Sequence, residues 1–106
     1  MNVTVIQNHA GEGQFPDFVK GTAVEITGEE CAEFAHWFPC TISGYATYVP
    51  IRFVTDHRLN RDYNPTELIQ SIGDKLIVLE IIHAWLFAKN TTGKTGWIPA
   101  EAVVSA

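Results

Sequence analysis

The sequence predicts an all-β protein built from two similar small β-barrels in tandem, and three observations support this prediction. An ordered set of residues in the first half of the 106-residue chain recurs in the second half, as an internal repeat does. Short segments rich in strand-forming residues alternate with glycine-containing turns. No stretch keeps apolar residues at helical spacing for three turns, so a helical fold is disfavoured.

The repeat is clearest towards the end of each half. Residues 48–50 (Tyr-Val-Pro) recur as residues 97–99 (Trp-Ile-Pro), and Trp37 recurs as Trp85. These residues keep the same order in both halves, and their separations differ only slightly, as expected where loops absorb insertions. An ordered set of this kind is unlikely to arise by chance.

Each half contains segments typical of short strands. In the second half we expect strands at residues 76–79 and 85–88, followed by a hairpin turn at residues 90–93. In the first half, residues 24–26 alternate between apolar and polar side chains, and residues 43–44 (Ser-Gly) supply a turn. Short strands separated by turn residues are typical of a small barrel or sandwich.

The repeat predicts a domain boundary after Val54, which gives residues 1–54 and residues 55–106. A barrel of about 50 residues is close to the lower limit of independent stability, because small domains bury a modest share of their surface. The connecting stretch 55–58 is also very short for a flexible linker. We therefore expect the two barrels to pack together in a fixed orientation.

The composition is typical of a globular protein. Hydrophobic residues make up 46% of the chain and charged residues 18%. No apolar run approaches the roughly 20 residues that a membrane-spanning helix needs, so we expect no membrane partner. The N-terminus shows no signal-peptide pattern, and Cys31 and Cys40 alone do not make a disulfide framework. We therefore expect a cytoplasmic protein with reduced thiols.

The charge of the chain is acidic and uneven. The formal net charge is −5, with −4 in residues 1–54 and −1 in residues 55–106. Nucleic-acid binding depends on Lys and Arg side chains that neutralise phosphates, so nucleic acid is disfavoured as a partner. A basic ligand suits the acidic half better.

No arrangement of residues predicts catalysis or a cofactor. The sequence has no Gly-x-Ser-x-Gly motif, and residues 11–13 (Gly-Glu-Gly) lack the third glycine and the following helix of a phosphate-binding loop. Cys31, His36 and Cys40 provide only three of the four ligands that a structural zinc site prefers. We therefore expect no enzymatic activity, no cofactor and no metal.

The second half of the chain resembles an SH3 domain motif by motif. Residues 73–80, 85–89 and 92–99, with Val103, resemble the second to fifth strands of that family, and residues 59–63 resemble its Ala-Leu-Tyr-Asp-Tyr segment. The first half matches less closely, through residues 24–26, 36–40 and 48–54. The whole arrangement is similar to the two-barrel, SH3-like proteins of bacteria.

This resemblance implies a groove in which aromatic rings hold a proline-rich peptide in the polyproline II conformation, with acids nearby for a basic ligand residue. The candidate ligand-binding residues of the second barrel are Tyr63, Glu67, Trp85 and Pro99. Arg61 and Ala102 stand where the family has tyrosines, so this groove has lost two aromatic positions. Gln70 stands where the family has a buried apolar residue, which would require Ile69 or Ile72 to turn inward instead.

The first barrel keeps more of the groove. Its candidate groove residues are His9, Trp37, Pro50 and Phe53, and its candidate acidic residues are Glu12, Asp17, Glu29, Glu30 and Glu33 in two flanking loops. His9 and Gln7 stand where the family has tyrosines. We therefore expect Trp37 to be the main anchor for a ligand.

Two functions remain open from the sequence. The first is a non-catalytic adaptor that binds a proline-containing or basic segment of a partner protein through its aromatic grooves. The second is a structural assembly protein whose grooves are covered by the other barrel or by a neighbouring subunit, which leaves a homo-oligomer open. Binding of a cell-wall glycan or a small molecule is a third and less favoured interpretation.

Overall fold

The regular elements of the described residues are short β-strands and two 3-10 turns, which confirms the all-β fold class. A computed structural model describes residues 1–11 and 14–106. The strands are β1 (Asn2–Val5), β2 (Val24–Ile26), β3 (Trp37–Ile42), β4 (Tyr45–Pro50), β5 (Val54–Thr55), β6 (Arg58–Leu59), β7 (Lys75–Ile82), β8 (Trp85–Asn90), β9 (Thr95–Pro99) and β10 (Val103–Ser105). The 3-10 turns Ile51–Phe53 and Ala100–Ala102 follow β4 and β9, at equivalent places in the two repeats.

The chain divides into two compact units. One unit comprises Met1–Gln14 together with Thr66–Ala106, and we call it the split unit. The other comprises Phe15–Pro65, and we call it the contiguous unit. This division differs from the boundary expected after Val54, and the reason lies in how β1 and β6 pair.

The split unit is built on a five-stranded antiparallel sheet in the order β10-β1-β7-β8-β9. The N-terminal strand β1 therefore lies inside this sheet, with Val3 opposite Ser105 on one side and Leu76 on the other. Burial of alternate residues of β1 explains its position, since Val3 and Val5 point into the core. The remaining core residues are Leu68, Leu76, Leu86, Ala88, Ile98 and Ala102.

The contiguous unit has a three-stranded sheet, β2-β3-β4, and a short β5-β6 pair. Strands β3 and β4 are joined by a two-residue turn in which Ser43 and Gly44 have φ of 50° and 82°, as a tight hairpin with the right-handed strand twist requires. Strand β6 pairs with β5, with Leu59 opposite Val54. Residues 58–59, which the sequence assigns to the second barrel, therefore lie with residues of the first repeat.

The two leading strands are thus exchanged between the repeats. Strand β1 pairs with β10, which follows the second 3-10 turn, and β6 pairs with β5, which follows the first. Both segments can take this position because each supplies inward-facing apolar residues, Val3 and Val5 in one and Leu59 in the other. The repeat pattern alone does not distinguish between these two pairings.

Hydrogen bonds explain the buried glutamine of the split unit. The Gln70 amide donates from Nε2 to Asp74 Oδ2 at 2.7 Å, and its Oε1 accepts from Asn90 Nδ2 at 3.0 Å. Both polar ends are therefore satisfied, which removes the main cost of burying an amide. Ile69 and Ile72 do not turn inward in its place, because both are largely exposed.

No helix in the described part of the chain is long and apolar enough to cross a membrane. The described residues also bring together no group of three His, Cys, Asp or Glu side chains that could hold a metal ion. Burial raises the pKa of the Cys40 thiol to about 12, and burial is also the main reason why the pKa of the Cys31 thiol is raised.

Candidate functional site

Three of the predicted site residues meet in the split unit, where His9, Glu67 and Trp85 form a cluster. His9 Nε2 lies 2.9 Å from Glu67 Oε1. The imidazole meets the Trp85 ring edge to face, with the ring centroids 5.9 Å apart and the planes at 72°. The Trp85 side chain is half-buried, and the His9 and Glu67 side chains are 16% and 21% exposed. We call this the His9–Glu67–Trp85 cluster.

The backbone holds each member of the cluster in place. His9 and Gln70 exchange two backbone hydrogen bonds of 2.9 Å, which fix the N-terminal stretch against the segment that follows Glu67. On the other side, Leu68 N donates to Trp97 O at 2.8 Å and Trp97 N donates to Thr66 O at 3.0 Å. The residues on both sides of Glu67, Thr66 and Leu68, are therefore hydrogen-bonded to Trp97 in β9, which fixes the backbone of Glu67.

Two glycines allow the chain segments to approach this closely. A Cβ atom at Gly11 would lie 2.3 Å from the Glu67 Cβ, and one at Gly96 would lie 3.0 Å from Thr66 O and from Leu68 N. Real Cβ atoms do not approach another heavy atom as closely as 2.3 Å, so a side chain at Gly11 would displace Glu67. Sequence reasoning did not identify either glycine, because their roles depend on residues distant in the chain.

Trp85 stands at the start of β8, directly after a tight hairpin turn. His83 and Ala84 in this turn have φ of 44° and 69°, and Ala100 N donates to Ala84 O at 2.8 Å. Trp85 lies opposite Pro99 in the β8-β9 register. Pro99 itself is buried, so it supports the strand from which Trp85 projects and does not present an open ring face.

The cluster combines a partly exposed carboxylate with a half-buried aromatic ring. The indole offers a flat apolar surface, and the carboxylate, joined to it through the His9 imidazole, offers an acceptor for a cation.

The groove residues of the contiguous unit come together but are buried. Trp37, Phe53 and Tyr63 are 6%, 2% and 5% exposed, and Pro50 is fully buried. The Phe53 and Tyr63 rings meet edge to face with centroids 5.4 Å apart. The Tyr63 hydroxyl donates to the Tyr48 carbonyl at 2.6 Å. These side chains act as core residues, which differs from the open groove expected around Trp37.

Arg61 adds to the covering of these rings. Its guanidinium lies 4.2 Å from the centroid of the Phe53 ring, within the range of a cation–π contact. In the sequence, Arg61 stands in place of a groove tyrosine of the second barrel. In the structure it lies over an aromatic ring of the first repeat, because the segment that carries it belongs to the contiguous unit.

Two of the predicted acidic residues, Asp17 and Glu30, accept hydrogen bonds within the contiguous unit. Glu12 lies outside the described residues. Asp17 Oδ1 accepts from Asn64 Nδ2 at 2.9 Å, and a Glu30 carboxylate oxygen accepts a short hydrogen bond from the backbone N–H of His36. Glu30 thus shapes the loop between β2 and β3, where His36 has a φ of 73°. The remaining two, Glu29 and Glu33, are exposed in that loop.

Strand exchange therefore regroups the candidate residues. The sequence predicts that His9 lies in one groove with Trp37 and that Tyr63 lies in another groove with Trp85. In the structure Tyr63 contacts Phe53 in the contiguous unit, and His9 contacts Trp85 in the split unit. The aromatic groove positions are collected in the unit where they are buried, whereas the unit with fewer aromatic rings keeps a half-buried tryptophan.

An aromatic set that sequence reasoning missed lies in the contiguous unit. Tyr45 is 44% exposed, and its ring centroid lies 6.0 Å from that of Phe15 and 5.8 Å from that of Phe18. Phe18 is placed by two 2.8 Å backbone hydrogen bonds with Tyr63. No short-range pattern points to this set, because Tyr45 is distant in sequence from the two phenylalanines.

One comparison with known proteins gives a match. The family model of the SH3 domain matches residues 62–100, which include β7, β8 and β9. This match supports the SH3 domain superfamily for that part of the chain, and an SH3 domain is a protein-interaction module that binds peptides. Neither the curated proteins nor the solved structures gave a match.

Proposed function

We propose that this chain is a non-catalytic peptide-binding module whose ligand binds at the His9–Glu67–Trp85 cluster. The observation that carries this proposal is a half-buried tryptophan held edge to face against an imidazole, which is itself hydrogen-bonded to a carboxylate. Trp85 and Glu67 lie within the segment that matches the SH3 family model. Their surroundings are fixed by backbone hydrogen bonds, so binding would require little rearrangement.

The ligand that fits the cluster is a proline-containing segment with a basic residue. A polyproline II segment is already extended and loses little conformational entropy when its rings pack on a flat indole. A Lys or Arg side chain of the ligand would then find an acceptor in the partly exposed Glu67 carboxylate. An acidic chain with a net charge of −5 also favours a basic peptide over a nucleic acid.

A second role is supported for the contiguous unit. Its groove residues Trp37, Pro50, Phe53 and Tyr63 are covered within a single chain. Burial of this much aromatic surface contributes to folding and leaves no ring face for a ligand. We therefore propose that the contiguous unit is a structural element, in line with the assembly function left open by the sequence.

The test compares two peptides and two variants. The probe is a synthetic peptide with a Pro-x-x-Pro core and a flanking arginine, and its control has alanine in place of each proline. We expect the chain to bind the proline peptide more tightly, and Trp85→Ala to cost about 2 kcal/mol of binding free energy, as the loss of an aromatic anchor does. Isothermal titration calorimetry measures both.

Tyr45→Ala is the matched control, because it removes an exposed aromatic ring from the contiguous unit. It should leave the affinity within about twofold. If Tyr45→Ala weakened binding as much as Trp85→Ala, or if the two peptides bound equally, the proposed site would be wrong.

A further inference from the structure

The two units differ in how the chain assembles them. The contiguous unit uses one uninterrupted stretch, Phe15–Pro65. The split unit uses two stretches, Met1–Gln14 and Thr66–Ala106, which the whole contiguous unit separates in sequence. The folding of the split unit therefore requires two distant parts of the chain to meet.

The N-terminal stretch supplies part of the sheet and part of the core of the split unit. It supplies β1, which pairs with β10 on one side and β7 on the other. It also supplies the core residues Val3 and Val5. Without β1, the position between β10 and β7 in the sheet is empty, and both of these strands lose their hydrogen-bond partners on that side.

The contiguous unit holds its own two ends together. Phe18 and Tyr63 exchange two backbone hydrogen bonds of 2.8 Å. Lys20 N donates to Asp62 Oδ1 at 2.8 Å. These bonds lie a few residues from the two positions where the chain passes into the split unit, so the folded contiguous unit keeps both connections at one place.

From this connectivity we propose that folding in this chain is coupled in one direction, with the split unit dependent on the contiguous unit and not the reverse. When the contiguous unit is folded, it holds the ends of the two stretches of the split unit close together. Once unfolded, it becomes a long flexible loop, and bringing the stretches together then costs more conformational entropy. Loss of the split unit leaves the contiguous unit with two free tails and an uninterrupted fold.

This coupling would also control the candidate binding site. His9 comes from the N-terminal stretch, whereas Glu67 and Trp85 come from the C-terminal stretch. Opening of the contiguous unit would therefore separate the members of the cluster without touching any of them. This last consequence rests on the proposed function, whereas the coupling itself does not and is measured without a ligand.

The test uses two matched substitutions in the full chain, Ile42→Ala in the contiguous unit and Ile98→Ala in the split unit. Both isoleucines are fully buried, and each change should raise the opened population of its own unit about thirtyfold or more. Hydrogen exchange is followed at the amides of β3 and β4 for one unit and β7 and β8 for the other.

The proposal predicts an asymmetric result. Ile42→Ala should reduce protection in both units, whereas Ile98→Ala should reduce protection in the split unit and leave β3 and β4 unchanged. The proposal would be overturned if the split unit stayed protected in Ile42→Ala. Equal loss in both units of Ile98→Ala would overturn it as well.

An engineered disulfide between the two stretches of the split unit is the decisive control. It remains informative if Ile42→Ala unfolds the whole chain. Thr4 and Lys75 are paired in the β1-β7 register, and Lys75 Nζ lies 2.8 Å from Thr4 Oγ1. Cysteines at these two positions, in a Cys31→Ser background, would tie the two stretches of the split unit together. With this bond oxidised, Ile42→Ala should no longer reduce protection of β7 and β8, whereas reduction should restore the loss. Failure of the disulfide to rescue the split unit contradicts the proposal.

Discussion

The contiguous unit has more aromatic residues at the predicted groove positions, whereas the split unit has the more exposed groove tryptophan. Trp37, Phe53 and Tyr63 are all aromatic and all buried. The split unit has His9 at an equivalent position and keeps Trp85 half-buried. The difference teaches that aromatic residues at the expected sequence positions do not by themselves make a binding groove. Exposure decides between a groove and a core, and exposure depends on which segments pack together.

The lengths of the loops before the two tryptophans also differ between the units. In the contiguous unit, β2 and β3 are joined by the long segment 27–36, in which Glu30 accepts a hydrogen bond from the backbone of His36. In the split unit, the equivalent connection between β7 and β8 is the two-residue turn 83–84. A shorter connection leaves less chain near Trp85 to cover it.

The largest expected effect is on stability and separates the two tryptophans. Trp37→Ala should lower the free energy of unfolding by about 3 to 5 kcal/mol, because it leaves a large cavity among buried rings. Trp85→Ala should lower it by less than half as much, because part of its ring already contacts water. Urea unfolding followed by circular dichroism measures both. Equal losses would break the distinction between a core tryptophan and a surface one.

The next effect concerns the close approach that places Glu67. Gly96→Ala should cost about 1 to 3 kcal/mol, because the new Cβ meets backbone atoms of Thr66 and Leu68 that cannot move independently. Gly28→Ala is the matched control, since its Cβ would meet a side-chain atom, Pro39 Cγ, at the same 3.0 Å. The control should change stability by about 0.5 kcal/mol or less. Thermal unfolding of the two variants gives the comparison.

The smallest effect concerns the hydrogen bond within the buried aromatic set. Tyr63→Phe removes the hydroxyl that donates to the Tyr48 carbonyl at 2.6 Å, and it should cost about 1 kcal/mol. Tyr48→Phe changes an exposed side chain and should be nearly neutral. Chemical unfolding of both variants checks this. A neutral Tyr63→Phe would show that this bond contributes little to covering the rings.

Local features of the fold could be predicted from the sequence, whereas the pairing of distant segments could not. The strand formers at residues 76–79 and 85–88 lie in β7 and β8, and the Ser43-Gly44 turn joins β3 to β4. These features depend on neighbouring residues. The exchange of β1 and β6 depends on which of two similar repeats each strand joins, and a repeat by its nature makes both choices look alike.

The candidate site was predicted in part for the same reason. The sequence identifies His9, Glu67 and Trp85 each as a candidate, but it groups His9 with Trp37 because His9 lies in the first half of the chain. The burial of Trp37 was missed because a groove tryptophan and a core tryptophan have the same neighbours in sequence. Gly11 was missed because its role depends on Glu67, which is distant in the chain.

The central claim is that the ligand binds the split unit at Trp85 and not the contiguous unit at Trp37. The chain contains three tryptophans, so three indole N–H signals in a proton–nitrogen correlation spectrum report on it directly. On titration with the arginine-flanked Pro-x-x-Pro peptide, the Trp85 signal should shift progressively while the Trp37 signal stays in place. A shift of Trp37 with Trp85 unchanged would contradict the account.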